Sequence, residues 1–197
     1  KIIWFSRTVG PNRGIEYLVT ALKHCKVKCE LHLLGMPVDG YSAQINSIFP
    51  FNFGHQLYLH SFIEHNSILP FLGQFNLGLA IEENINDNKN LTISNKILQY
   101  IQVKLPILCS DTSGNLEVAS YFPNTIHAVN IDDEFEVAQK IDFLSKNPKS
   151  YSNEDMLRFN CIFSWEAQEK KLNNLININS KNESRSIVSK FTSETKE

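Results

Sequence analysis

The sequence predicts a doubly wound, Rossmann-like α/β sandwich of about six mostly parallel strands, with helices on both faces of the sheet. Two observations carry this. Six short runs rich in β-branched and aromatic residues recur along the chain, each mostly apolar, as a strand covered on both faces must be. Between them lie stretches whose apolar residues return at helical spacing, and this alternation marks βαβ units.

The strands are read at Ile2–Ser6, Glu30–Leu34, Gln56–Leu59, Leu77–Ile81, Pro106–Ser110 and Thr125–Val129. After the first, Gly10, Pro11 and Gly14 break the chain, and Ile15, Leu18, Val19 and Leu22 then form one helical stripe facing the sheet. Ile93, Ile97, Leu98, Ile101 and Leu105 repeat the pattern before the fifth strand. Beyond the sixth, Phe135, Val137, Ala138, Ile141 and Leu144 predict a helix capped by Asp132 or Asp133 that stops near Asn147-Pro148. A closing helix is expected from about Ser164 through Trp165, Ala167, Leu172, Leu175 and Ile176. This makes residues 1–176 one domain, and the polar residues 177–197 read as a disordered tail with too little apolar surface to offset ordering entropy. Lys1 runs straight into a strand, so the chain reads as cut from a longer one.

Composition excludes several classes of function. At 42% hydrophobic and 20% charged residues the chain is not intrinsically disordered throughout. Nineteen Lys and Arg against 21 Asp and Glu leave a formal charge of −2, so no broad basic field is present for a nucleic-acid backbone. No apolar run approaches the roughly 20 residues of a membrane span, and no leader segment is evident. The four cysteines, Cys25, Cys29, Cys109 and Cys161, form no CxxC pair and read as reduced thiols of a cytoplasmic protein. They and His24 and His32 lack the clustered spacing of a zinc site, so no metal is expected. Cys109 reads as core filler, His127 as packing within a strand, and Trp4 and Trp165 as core or domain-contact aromatics. For Glu117, bracing a helix and touching a ligand stay equally open.

In such a sheet, ligands bind at the carboxyl ends of the strands, near the point where strand order reverses. The first strand is followed by Ser6-Arg7-Thr8-Val9-Gly10-Pro11-Asn12-Arg13-Gly14. Its glycines permit close backbone approach, its two arginines carry charge, and a helix begins beyond it: the outline of an anion site. Neither GxGxxG nor GxxxxGK[ST] is present. The fourth strand leads into the polar segment Glu82 to Asn90 and then Leu91-Thr92-Ile93-Ser94-Asn95-Lys96. Thr92 or Ser94 caps the next helix, so its free N–H groups and the Lys96 ammonium converge where a phosphate could rest. Asn95, Gln99 and Gln102 share the face opposite the apolar stripe.

The order of elements, the Arg7…Gly10…Arg13-Gly14 loop, the Ser94-Asn95-Lys96 helix start, Pro106 to Asp111, Gly114 to Val118 and Phe163-Ser164-Trp165-Glu166 together resemble the C-terminal, donor-binding domain of GT-B glycosyltransferases, in particular retaining family 4. That resemblance covers residues 1–176. It implies a nucleotide-diphosphate sugar as substrate, no cofactor, and Arg7, Arg13, Glu83 and Lys96 as the residues of transfer. It further implies donor contacts from Gly10, Gly14, His60, Ser61, Ser94 and Asn95, with Glu82 taking the acidic role of Glu83 if the register slips. Where the family carries a second acid, which binds the ribose, this sequence has Gln99, a neutral amide whose mixed donor and acceptor bonds are weaker than those of a carboxylate. The implied acceptor domain lies N-terminal and outside this chain. The implied activity is therefore hexosyl transfer by the whole protein to a glycan or other acceptor, in cell-surface polysaccharide synthesis, with the fragment inactive. Peripheral membrane attachment through the absent domain is left open. Other classes considered are a non-catalytic nucleotide-binding or partner subunit, a sugar-nucleotide epimerase, and a receiver-like module, the last disfavoured because Ile2-Ile3-Trp4-Phe5-Ser6-Arg7 ends in no carboxylate cluster.

Overall fold

A computed structural model describes residues 1–176, so the expected disorder of the 177–197 tail lies outside the described residues. The first compact unit, Lys1–Met156, holds β1 (Ile2–Val9), α1 (Ile15–Leu22), β2 (Glu30–Pro37), α2 (Tyr41–Ile48), β3 (Gln56–His60), α3 (His65–Leu72), β4 (Leu77–Ala80), α4 (Asp87–Leu91), α5 (Asn95–Gln102), β5 (Ile107–Ser110), α6 (Ser113–Tyr121), β6 (Ile126–Val129) and α7 (Glu134–Lys146). The second begins at Leu157; α8 (Asn153–Phe163), which sequence patterning does not reveal, is followed by a helix over 165–176, where the closing helix is expected. Trp165, in that helix, is exposed.

The sheet order is β3-β2-β1-β4-β5-β6, and every pairing among the described strands is parallel. Strand order reverses between β1 and β4, which places a cleft at their carboxyl ends. Alternate strand residues, including Trp4, Leu31, Leu33 and Leu79, pack in one cluster with Ile15, Leu18 and Leu22 of α1, Ile45 of α2 and Ile141 of α7. Burying each such side chain contributes on the order of 2 kcal/mol. The expected cap of α7 is made by Asp133, whose side chain accepts from the N–H groups of Phe135 and Glu136.

On α5, Ile97, Tyr100 and Ile101 are buried. Gly78 of β4 makes room for the Tyr100 ring, since a Cβ there would lie 2.6 Å from it, and the Tyr100 hydroxyl donates to the carbonyls of Ile3 (2.9 Å) and Leu79 (3.2 Å). These contacts fix α5, and with it the start of that helix, over β1 and β4.

Two strand ends and one loop differ from the sequence expectation: β1 and β2 each run three residues further, to Val9 and Pro37 instead of Ser6 and Leu34, and the segment after β4 is partly helical. β1 does not stop at Ser6: its register with β2 breaks between Phe5 and Thr8 and resumes with Thr8 opposite Met36 and Val9 opposite Pro37. Val9 is buried, so this polar-looking stretch belongs to the sheet. The polar segment after β4, expected as loop, contains the short helix α4, capped by Asn86, whose side chain accepts from the N–H of Lys89.

His32 and His60 sit side by side on β2 and β3, with Nδ1 of His32 2.8 Å from Nε2 of His60, so the neutral pair shares one hydrogen between two nitrogens. Burial holds both, and also His55 and His127, below the ordinary value of 6.5; for His32 the neighbouring His60 adds to this, while Glu30 opposes it. With the folded values depressed, the unfolded chain binds more protons below 6.5, so stability is full above that pH and is lost as the pH falls through the folded values. Thermal melts from about pH 7.5 to about pH 5 are expected to show a flat plateau and then a falling melting temperature. A melting temperature that rose on acidification would contradict it.

Candidate functional site

A cleft of about 600 Å³ opens at the carboxyl ends of β1 and β4. On the β1 side, Gly35 of β2 (φ 146°) allows its backbone to lie against β1, where a Cβ would fall 2.2 Å from the Ser6 carbonyl oxygen. Ser6 and Thr8 then hold Arg13: Nη1 donates to Ser6 Oγ at 3.1 Å and Nη2 to Thr8 Oγ1 at 2.7 Å. These bonds use two of the five guanidinium N–H groups and hold its plane at the cleft lining. Gly14, at φ 77°, starts α1 and donates its N–H to Glu83 Oε1 at 3.0 Å. Glu83 therefore ties the β4 loop to the start of α1.

Across the cleft, Glu82 is the carboxylate on the lining. One of its oxygens contacts the Lys96 ammonium, and the other accepts from Lys89 Nζ at 3.2 Å. Lys96 is buried and also lies over the Trp4 ring, 5.2 Å from its centroid. Burial pulls the Lys96 ammonium below its ordinary value, with Glu82 opposing that shift. Burial also works to raise Glu82, but Lys96 and then Lys89 outweigh it and hold the carboxylate below its ordinary 4.5. Behind Glu82, its backbone N–H donates to Ser110 Oγ at 3.0 Å, and the fully buried Asn115 donates to the same Oγ at 3.2 Å and to the Ser110 carbonyl at 3.1 Å. β5 and α6 thus hold the Glu82 turn in place.

At the start of α5, Ser94 is the N-cap residue; its carbonyl accepts from the N–H of Ile97 at 3.0 Å, but its side chain makes no capping bond, so the N–H groups of Asn95 and Lys96 are not satisfied by their own cap. Ser94 and Asn95 line the cleft, as does Gln99, whose Oε1 is buried without a hydrogen-bond partner.

Of the residues expected from sequence, Arg7, Arg13, Glu82, Ser94, Asn95, Lys96 and Gln99 all line this one cleft. Gly10, Gly14, His60, Ser61 and Glu83 do not. Gly10 instead leaves room for Val38, whose Cγ2 would be 2.7 Å from a Cβ, and His60 is the last residue of β3 and pairs with His32. Sequence reasoning misses Lys89 of α4 and an apolar wall that includes Leu34, Phe62, Ile63 and Ile68. The Asn86 cap three residues before Lys89 is the one local signal for α4. Among the described residues, four cations and one carboxylate line the cleft, so it is positive in a chain whose net charge is −2.

Fold and cleft define a class: a Rossmann-like α/β domain with a positively charged cleft at its topological switch point. Neither a known family profile nor a curated protein sequence matches the chain. Solved structures do. HepE of Anabaena in complex with UDP matches with a TM-score of 0.70 at 13% identity, over 89% of this chain and 48% of HepE; its complex with UDP-glucose matches at 12% identity with the same score and coverage. TarM matches at 0.59 and 17% identity, over 87% of this chain and 34% of its own. AviGT4, a glycosyltransferase involved in avilamycin A biosynthesis, matches at 0.57 and 11% identity, over 87% and 49%. At such identities the likeness to these structures is one of fold. The chain spans about half the length of the HepE structures it matches.

Proposed function

We propose that this chain is the donor-binding half of a glycosyltransferase and that its cleft holds the diphosphate of a nucleotide sugar. One observation carries the reading: the Arg13 guanidinium, held by β1, and the start of α5 line the same cleft from opposite sides of the switch point. The structural neighbours crystallised with UDP and UDP-glucose support it. Sugar transfer passes through an oxocarbenium-like state while negative charge grows on the departing diphosphate. Arg13 and the N–H groups of α5 are positioned to stabilise that charge, and preorganised donors of this kind commonly lower a barrier by several kcal/mol. Lys96 acts from behind, through the field it shares with Glu82. On this reading the acceptor site belongs to a second domain preceding this one in the whole protein, the acceptor is a glycan of the cell surface, the protein works in the cytoplasm, and the 197-residue chain binds donor without transferring sugar.

A second reading is a non-catalytic nucleotide-binding subunit of the same fold. Gln99 favours it, being an amide where the resemblance implies an acid. Calorimetric titration of the chain with UDP, ADP, GDP and UDP-glucose tests the main proposal. Saturable binding of at least one diphosphate below about 1 mM is the expected result. No binding to any of them at that concentration would overturn it, and robust transfer by the chain alone would overturn the claim that it is only half an enzyme.

A further inference from the structure

We infer that Lys89 is an exchangeable cation: its ion pair with Glu82 gives way, and it passes to the phosphate groups of a bound diphosphate. This rests on the diphosphate reading above and adds a binding residue to it. The four cations of the cleft are not equivalent. Arg7 is exposed on β1, and Arg13 is fixed by Ser6 and Thr8. Lys96 is enclosed between Trp4 and Glu82 and cannot leave without stranding a buried charge. Lys89 differs from all three. Its side chain is 31% exposed, and it makes a single 3.2 Å ion pair with the second oxygen of a carboxylate that already has a nearer, buried partner.

That asymmetry makes the exchange easy. When Lys89 lets go, Glu82 keeps Lys96, so no buried charge is left unpaired; the bond given up is a partly exposed ion pair, which is intrinsically weak. A diphosphate offers the same ammonium several oxygens and more than one negative charge. Lys89 is also delivered to the rim by local structure. Its N–H is bound by the Asn86 side chain at 2.9 Å, and Oδ1 of the next residue, Asn90, accepts from the N–H of Ser113, tethering α4 to the start of α6. A Cβ on Gly114 would lie 2.5 Å from the Thr92 backbone, so α6 approaches the chain just beyond α4 closely.

Titrations of the chain with UDP and with uridine, alongside Lys89→Ala, Lys89→Gln and Lys89→Arg, test this, with Arg13→Ala as reference and thermal melts as the control for folding. The expected result is roughly tenfold weaker UDP binding for Lys89→Ala and Lys89→Gln, near-normal binding for Lys89→Arg, and uridine binding unchanged by any Lys89 substitution. If the unmodified chain binds no UDP or other diphosphate, the donor-site reading fails and this inference with it. If it binds UDP and Arg13→Ala weakens it while both neutral Lys89 variants bind as tightly as the original, the inference alone is overturned. Equal loss of UDP and uridine would likewise overturn it, because the lysine would then act on packing and not on phosphate.

Discussion

Arg13→Ala is expected to weaken binding of UDP, or of whichever diphosphate binds, by on the order of 100-fold, which at about 1.4 kcal/mol per decade is roughly 2.7 kcal/mol. Hydrogen bonds to charged groups are each worth about 1.5–3 kcal/mol, and a guanidinium presents a pair of parallel donors to phosphate oxygens. Arg13 arrives with its plane already set by Ser6 and Thr8, so little side-chain freedom is lost on binding. Its removal leaves two hydroxyls that water can satisfy, so the fold should hold while affinity falls. Arg13→Lys should recover only part of the loss, since an ammonium cannot reach Ser6, Thr8 and a phosphate with the same fork. Isothermal calorimetry on the three proteins checks this, and an Arg13→Ala chain that binds within about twofold of the original would remove the residue from the site.

Gly35→Ala is expected to lower stability by about 4 kcal/mol, a fall of roughly 10 °C in melting temperature. Its φ of 146° lies where only glycine is at ease, and its added Cβ would meet a backbone carbonyl at 2.2 Å, an atom that cannot rotate aside. The carbonyl belongs to Ser6, so the strand shift needed to relieve the clash also moves a partner of Arg13, and diphosphate binding should decline with stability. Gly40→Ala is the matched control. That glycine also has a positive φ, 76°, but open space around its Cβ, so only the conformational cost of about 1 kcal/mol is expected. Equal melting temperatures for the two variants would show that the close approach of β1 and β2 is not what requires Gly35.

Much of the site is legible in the sequence because its cations lie close to strong local signals. Arg13 precedes a helix-starting glycine, and Ser94 to Lys96 open an amphipathic helix whose stripe is plain in the residue spacing. Other residues are not legible there. Glu82 and Glu83 are neighbours of the same chemistry at the end of a strand, where successive side chains point apart. Glu83 finds the N–H of Gly14 and Glu82 finds Lys96, and nothing local distinguishes those outcomes. The extension of β1 through Arg7 and Thr8 is hidden because its cause lies in β2, at Met36 and Pro37. Lys89 sits inside an Asn-rich run whose polarity reads as loop until the Asn86 cap is seen closing one short turn.

By itself, then, the sequence determined the alternation of strands and helices, the parallel sheet and the two cationic segments that follow β1 and β4, because each is written in the spacing of neighbouring residues. Tertiary structure alone decided which carboxylate enters the cleft, which lysine is enclosed and which is free to exchange, and how far β1 runs. Those choices depend on partners far apart in sequence, such as the Glu83 that meets Gly14 from 69 residues away and the Trp4 ring that covers Lys96, and contacts at such separations leave no periodic trace in the chain.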